Sequence, residues 1–275
     1  MANYTAADIK ALREATGAGM MDVKKALEEA DGDAAKATEI LRVKGLKGVT
    51  KREGRSASNG LVTAHVDGGV GTLVEVNCET DFVAKGAKFI ELAGEVLDAA
   101  VASKAATGEE LLAAQIGGKP VKDVLDEANA TIGEKIEVRH MARVEGSKVV
   151  SYLHKTSPDL PAQIGVVVAY EGDEAAAKDV AMHIAAFSPT VLTREEIPAE
   201  TVENERRIAE ATAKEEGKPE AALPKIVEGR VNGFFAENVL LEQKFAKDQK
   251  KTVQQILKDA GTQVTAFARL RVGQS

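Results

Sequence analysis

A strand pattern that turns directly into a helix pattern is the feature of this sequence that most limits its fold. Residues 72–78 are short, rich in β-branched side chains and partly alternating, which is typical of a β-strand. Apolar residues then recur every three or four positions from Phe89 to Val101, as on one side of an amphipathic helix. The residues between them must form a corner, and the side-chain oxygen of Thr80 or Asp81 can cap the first turn of the helix.

Phe82 stands in this corner, and two interpretations of it are open. Residues seven apart on an ideal helix differ by only about 20° in direction, so a helix already running at Phe82 would stack that ring on Phe89 in the core. A helix that begins after Phe82 would leave the ring projecting from the corner. Large aromatic side chains usually lie inside proteins, which on residue type alone favours the buried position.

Composition narrows the classes of function. The chain has 275 residues and a net charge of −7, which argues against a protein whose main task is to grip nucleic acid, because that task needs a basic face. Cys78 is the single cysteine, and no apolar run reaches membrane-spanning length. We therefore expect a cytoplasmic protein with a protein partner and without direct contact to nucleic acid or membrane.

The first 48 residues predict three short helices. Thr5 and Asp8 form a capping box, and glycine-containing breaks follow at residues 17–19 and 31–33. A unit of this size is similar to three-helix modules of the ubiquitin-associated type. The basic run from Lys44 to Asn59 contains Ser and Gly without apolar periodicity, which predicts a flexible linker.

Met20 and Met21 in this module are adjacent, so they cannot share one helix face. One interpretation makes one of them a core residue and the other an incidental surface residue. The other interpretation makes the pair an adaptable apolar contact for a partner.

The middle of the chain predicts small antiparallel sheets. Residues 61–67 and 70–78 form a hairpin around Gly68-Gly69, and strands follow at 134–143, 148–154 and 165–170, with a turn at 145–147. A helix is predicted at 174–187. The strand and helix around the Thr80 corner resemble the strand at 165–170 and its following helix, which indicates two related subdomains of sheet backed by helices.

The region from Ile197 to Leu241 is charged and helical. Helices at 199–216 and 220–239, joined by Gly217-Lys218-Pro219, predict a protruding antiparallel hairpin. Its predicted seam is narrow and consists of Ile208, Ala211, Ile226, Gly229 and Gly233. A helix at 252–259 and a strand at 262–272 that returns to the second subdomain complete an α+β fold.

Two strings in the sequence resemble the signatures of bacterial translation elongation factor Ts. They are EVNCETDFVAK at residues 75–85 and LREATGAGMMDVKKAL at residues 12–27. Two strings of this length, in order and at the expected spacing, are far more specific than a short motif. The resemblance covers nearly the whole chain and implies a guanine-nucleotide exchange factor for elongation factor Tu, a GTPase.

The resemblance also implies roles for particular residues. Thr80, Asp81, Phe82 and Val83 would dislocate the Mg²⁺ in the GTPase. Arg13, Met20 and Met21 would contact its G domain, and His154 would face another of its domains. Neither a catalytic residue nor a bound metal or cofactor of its own is implied for this chain.

The expected division of the chain has four parts. They are a three-helix module with its basic linker (1–55), a first core subdomain (56–140), a second core subdomain (141–190 and 241–275) and the helical hairpin (191–240). In the family the hairpin region is a dimerisation arm, which implies a possible homodimer. Two departures concern the C-terminal end: well-known members carry one more helix after the position of Ser275, and an apolar pair in place of Ala246-Lys247.

Motifs for a chemical reaction are missing from the sequence. The four histidines are scattered, His183 is expected to be structural, and neither a phosphate-binding loop nor a nucleophile motif occurs. Two rival functions are a helical adaptor that binds a protein through the three-helix module and an enzyme with a thiol site at Cys78.

Overall fold

The computed structural model describes residues 3–16, 18–52 and 54–274, and helices and antiparallel strands make up most of them. The α-helices are α1 Ala6–Thr16, α2 Met20–Glu29, α3 Ala34–Arg52, α4 Asp81–Ala84, α5 Ala87–Ser103, α6 Gly108–Ala113, α7 Val121–Ile132, α8 Glu174–Phe187, α9 Ala199–Glu215, α10 Leu223–Asn238 and α11 Val253–Asp259. The strands are β1 Asn59–Asp67, β2 Val70–Cys78, β3 Gln115–Ile116, β4 Lys119–Pro120, β5 Glu137–Glu145, β6 Lys148–His154, β7 Ile164–Glu171, β8 Lys244–Phe245, β9 Asp248–Thr252 and β10 Gln263–Arg271. The chain is therefore an α+β protein, as predicted.

Three helices open the fold around a small apolar core. The capping box is present, since the Thr5 hydroxyl accepts from the Asp8 N–H at 3.2 Å and Asp8 accepts from the Thr5 N–H at 2.7 Å. The buried side chains recur about one turn apart on α2 and α3, and the buried set of this core is Leu12, Val23, Ala26, Leu27, Ala30, Ala37 and Leu41. Gly17, in the first predicted break, lies outside the described residues.

The linker predicted from Lys44 to Asn59 is wrong over its first half, because α3 runs on to Arg52. The helix is held by α7: Arg42 forms an ion pair with Glu127 at 2.6 Å, and Arg52 donates to the Asn129 carbonyl at 3.1 Å. Gly45 allows this approach, since a Cβ there would stand 2.6 Å from the Ala130 Cβ. The basic residues that looked like a linker therefore include contacts to a neighbouring helix that the local pattern could not reveal.

Two three-stranded antiparallel sheets form the centre of the molecule. The first has the order β1-β2-β5 and the second the order β10-β7-β6, so β2 and β7 are the central strands. The predicted hairpin of β1 and β2 and the predicted return of the last strand to β7 are both present. The turn at residues 145–147 does not close a hairpin, because β5 pairs with β2 whereas β6 pairs with β7. It carries the chain from one sheet to the other.

The two sheets pack face to face, and helices cover their outer faces. Val62 and Leu73 of the first sheet meet Val149 and Val167 of the second. Alternate residues on β2 point the other way, toward α5, α6 and α7, and those on β7 point toward α8 and α11. Both central strands are thus covered on both sides and buried along nearly their whole length, and β7 is accordingly an almost continuous apolar run.

A buried carboxylate ties the two sheets together. Glu75 of β2 is fully buried, and its oxygens lie 2.8 Å from Nδ1 of His140 and 2.9 Å from the N–H of Gly273, which follows β10. Both contacts meet the requirement that a buried polar group be hydrogen-bonded.

The predicted helical hairpin is present as α9 and α10, but its predicted seam is wrong. Ala209 and Ala213 of α9 are buried, as are Val227, Val231 and Phe235 of α10. Ile208 is exposed, and Gly229 and Gly233 face solvent. The inward stripe is rotated by about one position because the longer side chains at 227, 231 and 235 bury more apolar surface than the glycines would.

His183 lies in the core of the second sheet's helical layer. Its Nδ1 accepts the N–H of Ala246 at 3.1 Å, so the ring proton is on Nε2, which lies 2.8 Å from Oε1 of Gln243. Burial lowers the pKa of His183, which favours this neutral form. The ring also stacks on Phe187 with centroids 4.7 Å apart.

Within the described residues, the helices are all too short or too polar to cross a membrane.

We predict that Gly165→Ala destabilises the protein by about 1–3 kcal/mol, because overpacking forces the sheets apart. A Cβ at Gly165 would stand 2.5 Å from Cγ1 of Val62 on the facing sheet. The matched control is Gly94→Ala inside α5, where the new methyl meets nothing within 4 Å and should stabilise by about 0.5–1 kcal/mol. Urea unfolding followed by circular dichroism measures both. Equal effects of the two substitutions would contradict the close approach of the sheets.

Candidate functional site

The corner after β2 is a short helix with a defined cap. The Thr80 hydroxyl accepts the N–H of Val83 at 3.4 Å, and the Thr80 carbonyl accepts the N–H of Ala84 at 3.2 Å. Thr80, not Asp81, is therefore the N-cap of α4. Gly86 then starts α5 as a separate helix. The chain thus makes two turns of direction between β2 and α5, with α4 between them.

Hydrogen bonds fix the base of this corner. Glu134, in the loop between α7 and β5, accepts the Thr80 N–H at 3.0 Å and the Thr80 hydroxyl at 2.6 Å. Glu79 accepts the N–H of Lys135 from the same loop at 2.6 Å. The side chain of Asn59 donates to the Glu79 carbonyl at 2.8 Å. The corner is therefore bonded to the loop and to β1.

The tip of the corner is exposed. Phe82 is 74% accessible, whereas Phe89, seven residues later, is 1% accessible. The interpretation that buried Phe82 above Phe89 is wrong, because α4 and α5 are separate helices and do not stack the two rings. Val83 packs against the core beneath, so Asp81 and Phe82 are the two residues of the range 80–83 that project into solvent.

Lys85 lies between the two projecting side chains. Its Nζ is 3.2 Å from Oδ2 of Asp81 and 4.6 Å from the centroid of the Phe82 ring. An exposed ion pair is worth about 0–1 kcal/mol and an exposed cation–π contact about 0.5–1 kcal/mol. Lys85 can therefore orient the tip without preventing a partner from taking over either contact.

Arg13, Met20 and Met21 all lie on the surface of the three-helix module. Met20 is 58% and Met21 64% accessible, so the interpretation that places one of them in the core is wrong. Arg13 and Met20 line a cleft of about 690 Å³ together with Lys88 of α5. Lys88 lies in the first turn of α5, six residues after Phe82. The cleft therefore extends from the surface of the three-helix module to the helix that follows the corner.

His154 ends β6 at the surface, with its Nδ1 3.1 Å from the Tyr152 hydroxyl. Its neighbours Leu153 and Lys155 line an apolar groove of about 530 Å³ that also contains Lys85 and Ile90. Lys85 of the corner thus borders the groove beside the strand end that carries His154. The cleft beside Arg13 and Met20 reaches α5 at Lys88.

Comparison with known proteins decides the family. A family model described as "Elongation factor TS" matches residues 79–274. Elongation factor Ts of Micrococcus luteus is 66% identical to the chain over 277 residues, which cover 99% of this chain and 100% of the relative. The corresponding proteins of Paenarthrobacter aurescens and Kocuria rhizophila are 65% and 62% identical, again over 99% of this chain and 100% of each relative. This chain belongs to the elongation factor Ts family.

Membership in the elongation factor Ts family makes the chain a translation elongation factor, as the two signature strings predicted. The same strings hold the projecting side chains, since Phe82 lies in one and Arg13, Met20 and Met21 lie in the other. The structure thus places these four side chains of the two strings at the surface, whereas much of the remainder of each string is buried.

Cys78, the residue of the rival thiol enzyme, is not a reactive group in this elongation factor Ts fold. It is fully buried at the end of β2, and its Sγ donates to the Thr80 carbonyl at 3.2 Å. Burial, assisted by the nearby Glu134 carboxylate, raises the pKa of the Cys78 thiol to about 12. Among the described residues, no cluster of three or more His, Cys, Asp or Glu side chains could hold a metal ion.

Sequence reasoning missed Glu134 and Lys85 as parts of the site. The contact of Lys85 with Asp81 could have been predicted from the sequence, because the two residues are four positions apart and such pairs face each other on a helix. Glu134 is 54 residues from Thr80 in sequence, and it lies beside the corner only because β5 pairs with β2. A local motif could not signal that contact.

We predict that native Cys78 resists alkylation by iodoacetamide at pH 8. With a pKa of about 12, the thiolate would be on the order of one part in ten thousand, and the reagent has no path to the buried sulfur. Mass spectrometry should show no adduct on the folded protein. It should show a single adduct on protein that is unfolded in roughly 8 M urea, a concentration that unfolds most domains. Rapid labelling of the native protein at this pH would contradict both the burial and the raised pKa.

Proposed function

We propose that this protein is the guanine-nucleotide exchange factor of elongation factor Tu. It binds elongation factor Tu in the GDP state, disturbs the Mg²⁺ and phosphate site, and promotes GDP release so that GTP can bind during translation elongation in the cytoplasm. The observation that carries the proposal is the exposed Phe82 ring, next to Asp81, on a corner whose base is hydrogen-bonded on several sides.

The proposed activity needs no chemical step. A GTPase holds its nucleotide through contacts to the phosphates and a bound Mg²⁺. A factor that binds the empty GTPase more tightly than the loaded one lowers nucleotide affinity by the same factor, because coupling between two binding sites is reciprocal. The protein therefore acts by binding energy and not as an enzyme that makes or breaks bonds.

Each surface group has a separate role in this proposal. The Phe82 ring wedges between partner side chains near the metal, and the Asp81 carboxylate helps to displace the elements that order the Mg²⁺. Thr80 and Val83 hold the corner from inside, through the cap and through packing on the core. Arg13, Met20 and Met21 bind the G domain, and His154 faces another domain of the GTPase.

The four-part division of the chain also belongs to this proposal. The module (1–55) and the two core subdomains (56–140; 141–190 with 241–275) would meet the GTPase. The hairpin (191–240) would serve as an arm for a possible homodimer. The exposed Ile208 on the outer side of α9 supplies apolar surface that such an arm could bury.

We predict that Phe82→Ala lowers the maximal rate of GDP release at least about tenfold and leaves the fold intact. Truncating a buried interface aromatic typically removes that much binding energy, whereas an exposed side chain changes stability by less than about 0.5 kcal/mol. The assay measures release of labelled GDP from elongation factor Tu at substoichiometric protein. Repeated acceleration by the unsubstituted protein supports exchange, and binding without acceleration supports the helical adaptor.

Two controls frame this result. Val43→Ala removes another exposed apolar side chain, on α3, and should leave the release rate unchanged. Phe89→Ala should instead destabilise the fold by about 3–5 kcal/mol, because its ring is buried against the first sheet. A Phe82→Ala protein that unfolds, or that exchanges at the normal rate, would rule out the proposed wedge.

We predict that Arg13→Ala combined with Met20→Ala and Met21→Ala weakens binding to elongation factor Tu about tenfold, with little change in the release rate at saturating factor. These side chains would add affinity away from the metal, and loss of exposed apolar and cationic contacts reduces mainly the stability of the complex. Calorimetric titration and the GDP-release assay separate the two quantities. Lys36→Ala on the exposed side of α3 is the control for charge. Loss of maximal rate at unchanged affinity would reverse the assigned roles.

A further inference from the structure

Glu134 makes two hydrogen bonds to a single residue of the corner. Its Oε2 accepts the Thr80 N–H at 3.0 Å, and its Oε1 accepts the Thr80 hydroxyl at 2.6 Å. Hydrogen bonds to a carboxylate are about twice as strong as those between neutral groups. The carboxylate therefore fixes both the backbone and the side chain of the residue that caps α4.

A second hydrogen bond, in the opposite sense, also joins the corner to the loop that carries Glu134. The carboxylate of Glu79 accepts the N–H of Lys135 at 2.6 Å, and Arg55 donates to both Glu79 oxygens at 3.3 Å. Residues 79 and 80 thus exchange side-chain-to-backbone bonds with residues 134 and 135. Such a pair of crossed bonds restrains rotation of the corner as well as its distance from the loop.

The loop that carries Glu134 is itself held in place. Gly133 ends α7 with a φ of 86°, a left-handed conformation that glycine adopts without strain. Buried Asn129 then donates to the Ile136 carbonyl at 3.1 Å and accepts the Ile136 N–H. Glu134 therefore projects from a segment fixed on both sides, so it can act as a reference point for the corner.

The contacts farther along the corner are weak by comparison. Beyond Thr80, the tip is oriented by the exposed Lys85 contacts to Asp81 and Phe82 and by the packing of Val83. Because Thr80 caps α4, a shift of Thr80 moves the axis of this four-residue helix and the direction of the Phe82 ring with it.

We propose that Glu134 is a positioning residue, which holds Thr80 so that Phe82 is presented to the GTPase in one orientation. This inference rests on the proposed exchange function. Loss of Glu134 leaves the module surface and the Phe82 side chain present, so the partner still binds. The ring then adopts several directions, and a smaller fraction of the complexes proceeds to nucleotide release.

The test compares three variants in the GDP-release assay with elongation factor Tu. Glu134→Ala should lower the maximal rate about tenfold while the half-saturating concentration changes less than about threefold, since two charge-assisted bonds are lost but the binding surface is kept. Glu134→Gln should stay within about twofold of the unsubstituted protein, because its amide can still accept from the Thr80 N–H and donate to the hydroxyl. Glu137→Ala is the matched control for charge, since Glu137 pairs with Lys135 and not with the corner.

Three outcomes would overturn the proposal. The first is an unchanged maximal rate in Glu134→Ala. The second is an equal defect in Glu134→Gln, because the hydrogen bonds that the amide keeps to Thr80 would then not be what supports nucleotide release. The third is a defect confined to the half-saturating concentration. Circular dichroism and the thermal midpoint of each variant check that the fold is kept at the assay temperature.

A second measurement does not depend on the GTPase. The chain contains no tryptophan, so Phe82→Trp places a unique fluorophore at the tip. Fluorescence anisotropy of the introduced indole should fall when Glu134→Ala is added and should stay constant when Glu137→Ala is added. If anisotropy falls but the unsubstituted protein does not accelerate GDP release, the proposed function fails while the positioning stands. Equal anisotropy with and without Glu134→Ala overturns the positioning itself.

Discussion

The close packing of the two central sheets is the constraint on which the remaining structure depends. Gly71 and Gly165 lack the Cβ atoms that would collide with Val149 and Val62 on the opposite sheet, so the sheets approach directly. Helices cover both outer faces, and β2 and β7 are consequently buried along nearly their whole length. A side chain that must reach a partner cannot come from the middle of these strands. It has to come from a strand end or from the loop that follows.

The chain leaves the core in different ways after the two central strands, β7 and β2. After β7, Gly172 turns the chain and Asp173 caps α8 at once, by accepting the N–H of Ala176 at 2.8 Å. After β2, the chain inserts the four residues of α4 between Thr80 and the start of α5. The inserted helix is what places Phe82 outside, since an immediate start of α5 would have directed a ring at that position inward. Both exits lead from a central strand to a helix on the outer face of its sheet, so the inserted α4 is the difference between the two corners.

The sequence allowed the α+β class, the bounds of α8 and the pairing of β1 with β2 to be predicted, because these depend on local periodicity and turn residues. It did not reveal that α3 continues to Arg52 or that the hairpin is sealed by Val227, Val231 and Phe235, because the contact surface of a neighbouring helix decides both. The turn at residues 145–147 looks the same locally whether it closes a hairpin or connects two sheets. Tertiary context also determines that the Phe82 side chain is exposed, whereas its residue type alone favoured a position in the core.

In the candidate site, too, the local pattern could be predicted from the sequence and the long-range contacts could not. Thr80, Asp81, Phe82 and Val83 were predicted as a site from a string of adjacent residues. The structure places Asp81 and Phe82 at the surface and Thr80 and Val83 in the support beneath them. The resemblance of the string to a family signature was informative where hydrophobicity alone was misleading. The support from Glu134 came only with the pairing of β5 to β2, which brings residues 54 apart in sequence into hydrogen-bonding distance.

The strengths of the contacts around the corner increase from tip to base, and this gradient fits an exchange factor. In the proposed exchange function, wedging at the partner's metal site would do work on the partner, so a corner that yielded under the same force would lose the effect of binding. The base is joined by short charge-assisted bonds to a fixed loop, whereas the tip is restrained by exposed contacts worth about 1 kcal/mol or less each. Asp81 and Phe82 can therefore exchange Lys85 for groups of the partner at little cost. The direction from which they approach stays set by the protein's own core.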